Sequence, residues 1–204
     1  MNTLTRPSPG LLFAAALLLA ATSSLPAQVT VAAQTDTTVK GNVATRTTTA
    51  TTGAGRKANA TTTTTYNPAT RSANYVTKGT GFFGHAFSST GTVQRTGGGT
   101  ATVNGTYTNA RGTGSYTSTL QKTGPGAGTV TGTYTNVSGG TGSYSGSTAP
   151  TSTGRSSGGT ITTASGQTIK VSSNGTTTST GAVVDTSVTG PQGNTGTVQT
   201  TVSH

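Results

Sequence analysis

The chain has 204 residues, no cysteine and no tryptophan, and carries a formal net charge of +10 from twelve Lys and Arg against only two acidic residues. That inventory excludes a disulfide framework and a thiolate metal site, and it leaves almost nothing for paired-carboxylate catalysis. Residues 28–204 hold about 21 Leu, Ile, Val and Phe, fewer than a fifth. The reading is therefore either partial disorder or an all-β protein with a thin core of Val, Thr and Tyr.

The first 27 residues read as a secretory signal peptide. Arg6 precedes the apolar run LLFAAALLLAA from Leu11, and Leu25-Pro26-Ala27 supplies a small residue for cleavage. The run is shorter than the roughly 20 residues that cross a bilayer as a helix. No later segment is apolar enough to do so, and the last residues, Thr201-Val202-Ser203-His204, offer neither an apolar anchor tail nor a terminal aromatic residue. The expected location is secreted: extracellular, cell-surface or periplasmic. An exported chain without cysteine fits a bacterial route better than a eukaryotic one.

Residues 28–57 are Thr-rich, without an aromatic side chain, and read as a flexible N-terminal arm or a weak strand. Residues 58–147 read as a β-repeat module. Within it, Asn67-Pro68 marks a hairpin turn that brings Tyr66 and Tyr75 near each other. Phe82, Phe83 and Phe87 form the densest aromatic cluster and are expected to anchor the core. The word TVNGTYTN from Thr102 recurs as TVTGTYTN from Thr129, and each is followed by Thr-Gly-Ser-Tyr, ending at Tyr116 and Tyr144. In both copies Val, Gly and Tyr (Val103, Gly105, Tyr107; Val130, Gly132, Tyr134) share one side of an extended strand and Thr the other, the period-two signature of a half-buried sheet. The glycine between Val and Tyr makes room for a ring from a neighbouring strand. Asn104-Gly105 has the form of a turn, but Thr131 in the second copy argues against one there.

Residues 148–159 read as a Pro/Ser/Thr/Gly linker, and residues 160–204 as a C-terminal β-hairpin segment with its turn at Asn174-Gly175. The fold expected is all-β: an irregular antiparallel meander or repeat sheet flanked by partly disordered Thr/Ser/Gly-rich segments. The Thr-rich run before TYNPAT at 65–70, the element TGPQGNTGTV at 189–198 and the Gly-Thr-Tyr-Thr blocks resemble Thr/Gly-rich exported bacterial proteins of uncharacterised function. The resemblance implies export and repetition, and it carries no catalytic residues.

Chemistry is sparse. Asp36 and Asp185 lie far apart in sequence, and His85 and His204 are the only imidazoles. No nucleophile elbow surrounds a serine, and Gly97-Gly98-Gly99 lacks the Lys-Ser or Lys-Thr of a phosphate loop. No enzyme activity, cofactor or metal is expected. The function expected is that of a non-enzymatic structural or adhesive protein of the cell surface or matrix, self-association included. The alternative is a soluble module for anionic polysaccharide, with Arg56, Lys57, Arg71, Lys78, Arg95 and Arg111 as polyanion contacts. Tyr107, Tyr116, Tyr134 and Tyr144 would then stack on sugar rings, although packing inside a thin sheet suits them better. Specific nucleic-acid recognition is not expected. Thr-x-Thr arrays of the ice-binding kind need flat, regular ranks, which the uneven spacing of the repeats does not promise.

Overall fold

A computed structural model of the chain describes residues 30–179 and 181–203; the expected signal peptide, 1–27, lies outside them. Thirteen strands follow one another: β1 (Thr30–Lys40), β2 (Val43–Thr52), β3 (Lys57–Asn67), β4 (Ser72–Thr80), β5 (Ala86–Gly97), β6 (Thr100–Asn109), β7 (Gly112–Gly124), β8 (Ala127–Thr135), β9 (Thr141–Pro150), β10 (Gly154–Thr162), β11 (Thr168–Thr178), β12 (Gly181–Thr189) and β13 (Thr195–Ser203). Each pairs antiparallel with its successor, and β1 pairs with β13, so the sheet closes into a barrel. Thirteen is odd. Alternating strands leave the first and last pointing the same way, and the closing pair is accordingly parallel, with Val31 opposite Val198. Closure removes both sheet edges.

The protein is thus all-β, as its composition implies, and among the described residues the meander runs from β1 to β13 without a loose flanking segment. Residues 28–57, read as a flexible arm or a weak strand, form strands where they are described and not an arm: 30–40 and 43–52 are β1 and β2; Thr35 in β1 is only 1% exposed, and its hydroxyl meets that of Thr48 at 3.0 Å. Residues 148–159, expected as a linker, instead finish β9 and begin β10, with only 151–153 between them. Gly and Ser have poor intrinsic strand preference, but a strand paired on both sides gains its order from its neighbours. Gly158, for example, lies opposite Ser147 and Ser172. Asn174-Gly175 is not a turn either. It lies inside β11, where Gly175 gives room to the Val184 side chain, and the chain reverses after Thr178, which pairs with Gly181. The pairing runs unbroken through the boundaries drawn at 57/58, 147/148 and 159/160, and residues 160–203 contribute to four strands rather than one hairpin.

The repeat word is explained strand by strand. Asn109 and Asn136, its last residues, turn the chain: Asn109 Oδ1 accepts the Arg111 N–H at 2.8 Å, and Asn136 Oδ1 accepts those of Ser138 and Gly140 at 3.0 and 2.8 Å. Asn67 does the same before the β3–β4 turn, accepting the Ala69 N–H at 3.0 Å.

Inside the barrel, rings lie on glycines. Six aromatic residues face a glycine directly across the ladder: Tyr75–Gly91, Phe87–Gly79, Tyr116–Gly105, Tyr107–Gly114, Tyr144–Gly132 and Tyr134–Gly142. A Cβ added at Gly91, Gly105, Gly114, Gly132 or Gly142 would come closer than 3.0 Å to the facing tyrosine, nearer than real Cβ atoms approach. A flat ring therefore replaces the missing side chain, and each such cross-strand pair contributes about 0.2–1 kcal/mol. Tyr66 faces Ala73 instead and stays 40% exposed. The core centres on Val130, Tyr144 and Ile161, with Leu120, Tyr134, Ile169 and Val171 against them. It does not centre on the phenylalanines: Phe83 is 63% exposed in the turn after β4, under the Arg56 guanidinium at 4.9 Å.

Candidate functional site: the outer hydroxyl face

Since inward positions take Val, Tyr, Ala and Gly, outward positions are left to Thr and Ser. The pairing aligns them in ranks that cross five strands, β6 to β10. One rank runs Thr102, Thr119, Thr131, Ser145, Thr160, and the next Asn104, Thr117, Thr133, Ser143, Thr162. Hydroxyls recur about 4.8 Å apart across strands and about 6.8 Å apart along them. These ranks are regular where the sequence spacing suggested irregularity, because register depends on strand pairing and not on loop length. All ten residues, together with Ser118, Gly132 and Tyr144, line a shallow groove of about 610 Å³ without a charged side chain.

Neighbouring hydroxyls bond to each other. Thr117 meets Thr133 at 3.2 Å, Ser145 meets Thr160 at 3.2 Å, and Thr90 meets Thr106 at 3.2 Å in the adjoining part of the face. Each pair consumes one hydroxyl hydrogen and leaves the other, with lone pairs, directed outward. Chemically this surface exchanges hydrogen bonds; it offers neither a nucleophile with a base nor an electrophile.

The tyrosines expected to stack on sugars are on the other side of the sheet. Tyr107, Tyr116, Tyr134 and Tyr144 point inward over their glycines, so the glycan-stacking reading is corrected in favour of the core reading. Their hydroxyls find partners within the barrel. Tyr75 and Tyr116 meet hydroxyl to hydroxyl, Tyr116 also meets Ser89 at 2.9 Å, and Tyr144 bonds to Ser118 and donates to the Thr117 carbonyl at 3.1 Å. Burial raises the pKa of Tyr75, Tyr107, Tyr134 and Tyr144, since a phenolate would lose its hydration there; the Tyr116 hydroxyl adds to the rise at Tyr75.

The six basic residues expected to form one polyanion surface divide between the barrel's two ends. Arg56, Lys57, Lys78 and Arg111 lie at or near the end that carries turns 53–56, 81–85 and 110–111, whereas Arg71 and Arg95 lie at the opposite end. All six are exposed. The sequence reading missed a second basic set, Arg46, Lys122 and Arg155, which occupies inward positions. Parity against the repeat tyrosines marks Lys122 as inward, but Arg46 sits in a Thr-rich strand that has no aromatic residue to show which face is which.

Asp36 and Asp185 both point outward. Asp185 accepts a hydrogen bond from Gln199 Nε2 at 2.8 Å; Gln199 pairs with Ala32, and Asp36 lies four residues further along β1. His85 is exposed in the β4–β5 turn. Among the described residues no three His, Asp or Glu side chains gather as a metal site, and no helix is long and apolar enough to cross a membrane. Comparison of the chain with protein-family models, with curated proteins and with solved structures returns no match.

Proposed function

We propose that the protein is an exported, non-enzymatic structural or adhesive element of the cell surface or extracellular matrix, one that makes its contacts through the hydroxyl-bearing outer face. The observation that carries this reading is the alignment of outward Thr and Ser into ranks across β6 to β10, over an uncharged groove. Such a face suits neutral, hydrated polymers and other hydroxyl-rich surfaces, because each contact swaps one hydrogen bond to water for another. Single contacts of this kind are weak; many in register add up. The outward Thr face also lacks the apolar band of a lipid-facing barrel. The resemblance to Thr/Gly-rich exported bacterial proteins and the N-terminal signal pattern point to the same compartment.

The test is fractionation of producing cells. The mature protein is expected in the washed cell-surface or matrix fraction, retained through about 0.5 M salt because the contacts are uncharged. Replacing Thr117, Thr131 and Thr133 with Lys should release it. Free protein in the medium, or retention unaffected by these changes, contradicts the reading.

A further inference from the structure

Four cations interrupt the small and apolar inward face, and all four lie toward one end of the barrel. Arg46 is three residues from the start of β2, Arg95 two from the end of β5, Lys122 two from the end of β7 and Arg155 one from the start of β10. Their partners across the ladder, Thr62, Ala101, Gly128 and Gly175, show the inward parity. This mouth is the one bounded by turns 41–42, 98–99, 125–126 and 151–153. The chain's two carboxylate side chains, Asp36 and Asp185, are on the outer face, so no acidic side chain answers the inward cations.

Lys122 and Arg155 are both joined to one inward row. Lys122, Gly128, Thr148 and Ser157 form one inward row across β7 to β10. Thr148, 7% exposed, is its hub: its Oγ1 accepts from Arg155 Nη1 at 3.2 Å and from Ser157 at 3.0 Å, and donates to the Ser156 carbonyl at 3.1 Å. The hub is saturated and holds the guanidinium in place. Arg155 Nη2 lies 3.5 Å from where a Cβ on Gly126 would stand, in the turn that follows β7. Gly128, itself buried, stands in that row between Lys122 and Thr148. Further round the mouth, Arg46 Nε is buried without a hydrogen-bond partner among the described residues.

We propose that this mouth binds an acidic polysaccharide by a chain segment or end that carries carboxylate groups. A guanidinium fixed by Thr148 and an exposed ammonium on the same inward row provide a planar fork and a point charge for an oxyanion, while walls without an acidic side chain focus the field on it. Single-stranded nucleic acid fits less well. It calls for aromatic platforms beside the cations, and here the rings lie flat on glycines. The inference is independent of the outer-face reading, since it uses the opposite side of the sheet and charged rather than neutral ligand chemistry.

The experiment is a titration of the mature protein with a labelled oligogalacturonate at low salt. Lys122→Gln with Arg155→Gln is expected to weaken binding by about tenfold or more, the loss typical of charge-assisted pairs. Lys57→Gln with Lys78→Gln removes equal charge from the outer face and is expected to change it less than about threefold. Lys122→Gln alone, at an exposed side chain, keeps the comparison decisive if the double variant melts. Equal losses from the inner and outer pairs, or no loss from the inner pair, overturn the proposal. Tighter binding of a DNA oligonucleotide than of an oligogalacturonate of equal charge also overturns it.

Discussion

A glycine in a strand is ordinarily a weak point, but here six of them are the seats of aromatic rings. Gly132 shows the constraint most plainly: a Cβ there would stand 2.6 Å from the Tyr144 hydroxyl, closer than real Cβ contacts come. Gly132→Ala and Gly105→Ala are therefore expected to destabilise the fold by about 1–3 kcal/mol each through overpacking. Gly53 has an open surround and no left-handed backbone, so Gly53→Ala should be neutral or slightly stabilising. Urea unfolding of the three variants checks this. Equal effects at all three sites would mean that the rings do not seat as described.

At the scale of the strand, the tyrosines make stability depend on pH in one direction. Their pKa values are raised by burial in the folded state, while in the unfolded chain they titrate near about 10. Above that value the unfolded state sheds protons that the folded state keeps, so stability is full below pH of about 10 and falls as pH rises beyond it. Thermal melts from pH 7 to 11.5 should show the midpoint steady and then dropping. Replacing Tyr75 and Tyr144 with Phe should flatten the drop, and an alkaline limb unchanged in that variant would contradict the assignment.

The strands differed in how far they were legible. The Val-x-Gly-x-Tyr alternation fixed the face of β6 and β8 and foretold the ring over the glycine, because aromatic and apolar residues label parity directly. In β1, β2 and β10 most residues are Thr, Ala, Ser and Gly, which suit either face and either state. Only pairing on both sides orders them, and composition does not display pairing partners. Asn174-Gly175 misled for the same reason, as a good turn dipeptide inside a strand whose alternation continues past it. The mouth cations were hidden too, since Arg46, Lys122 and Arg155 are 76 and 33 residues apart in successive steps and share one end only through strand pairing.

For the molecule as a whole, closure is the central claim. It converts a chain with few large apolar residues into a sheet without edges, presents the Thr ranks outward and brings the inward cations to one mouth. All of this depends on the parallel seam between β1 and β13, the one pairing that sequence order does not suggest. Ala32 and Gln199 face each other across the seam on the outer surface, in a chain without native cysteine. The most direct measurement is oxidation of the Ala32→Cys, Gln199→Cys double variant, with Ala32→Cys, Thr200→Cys, whose second residue points to the opposite face, as the control. A closed barrel gives an intramolecular disulfide in the first, seen as a faster-migrating monomer on non-reducing gels, and none in the second. Dimers alone, or no disulfide in either variant, would contradict closure.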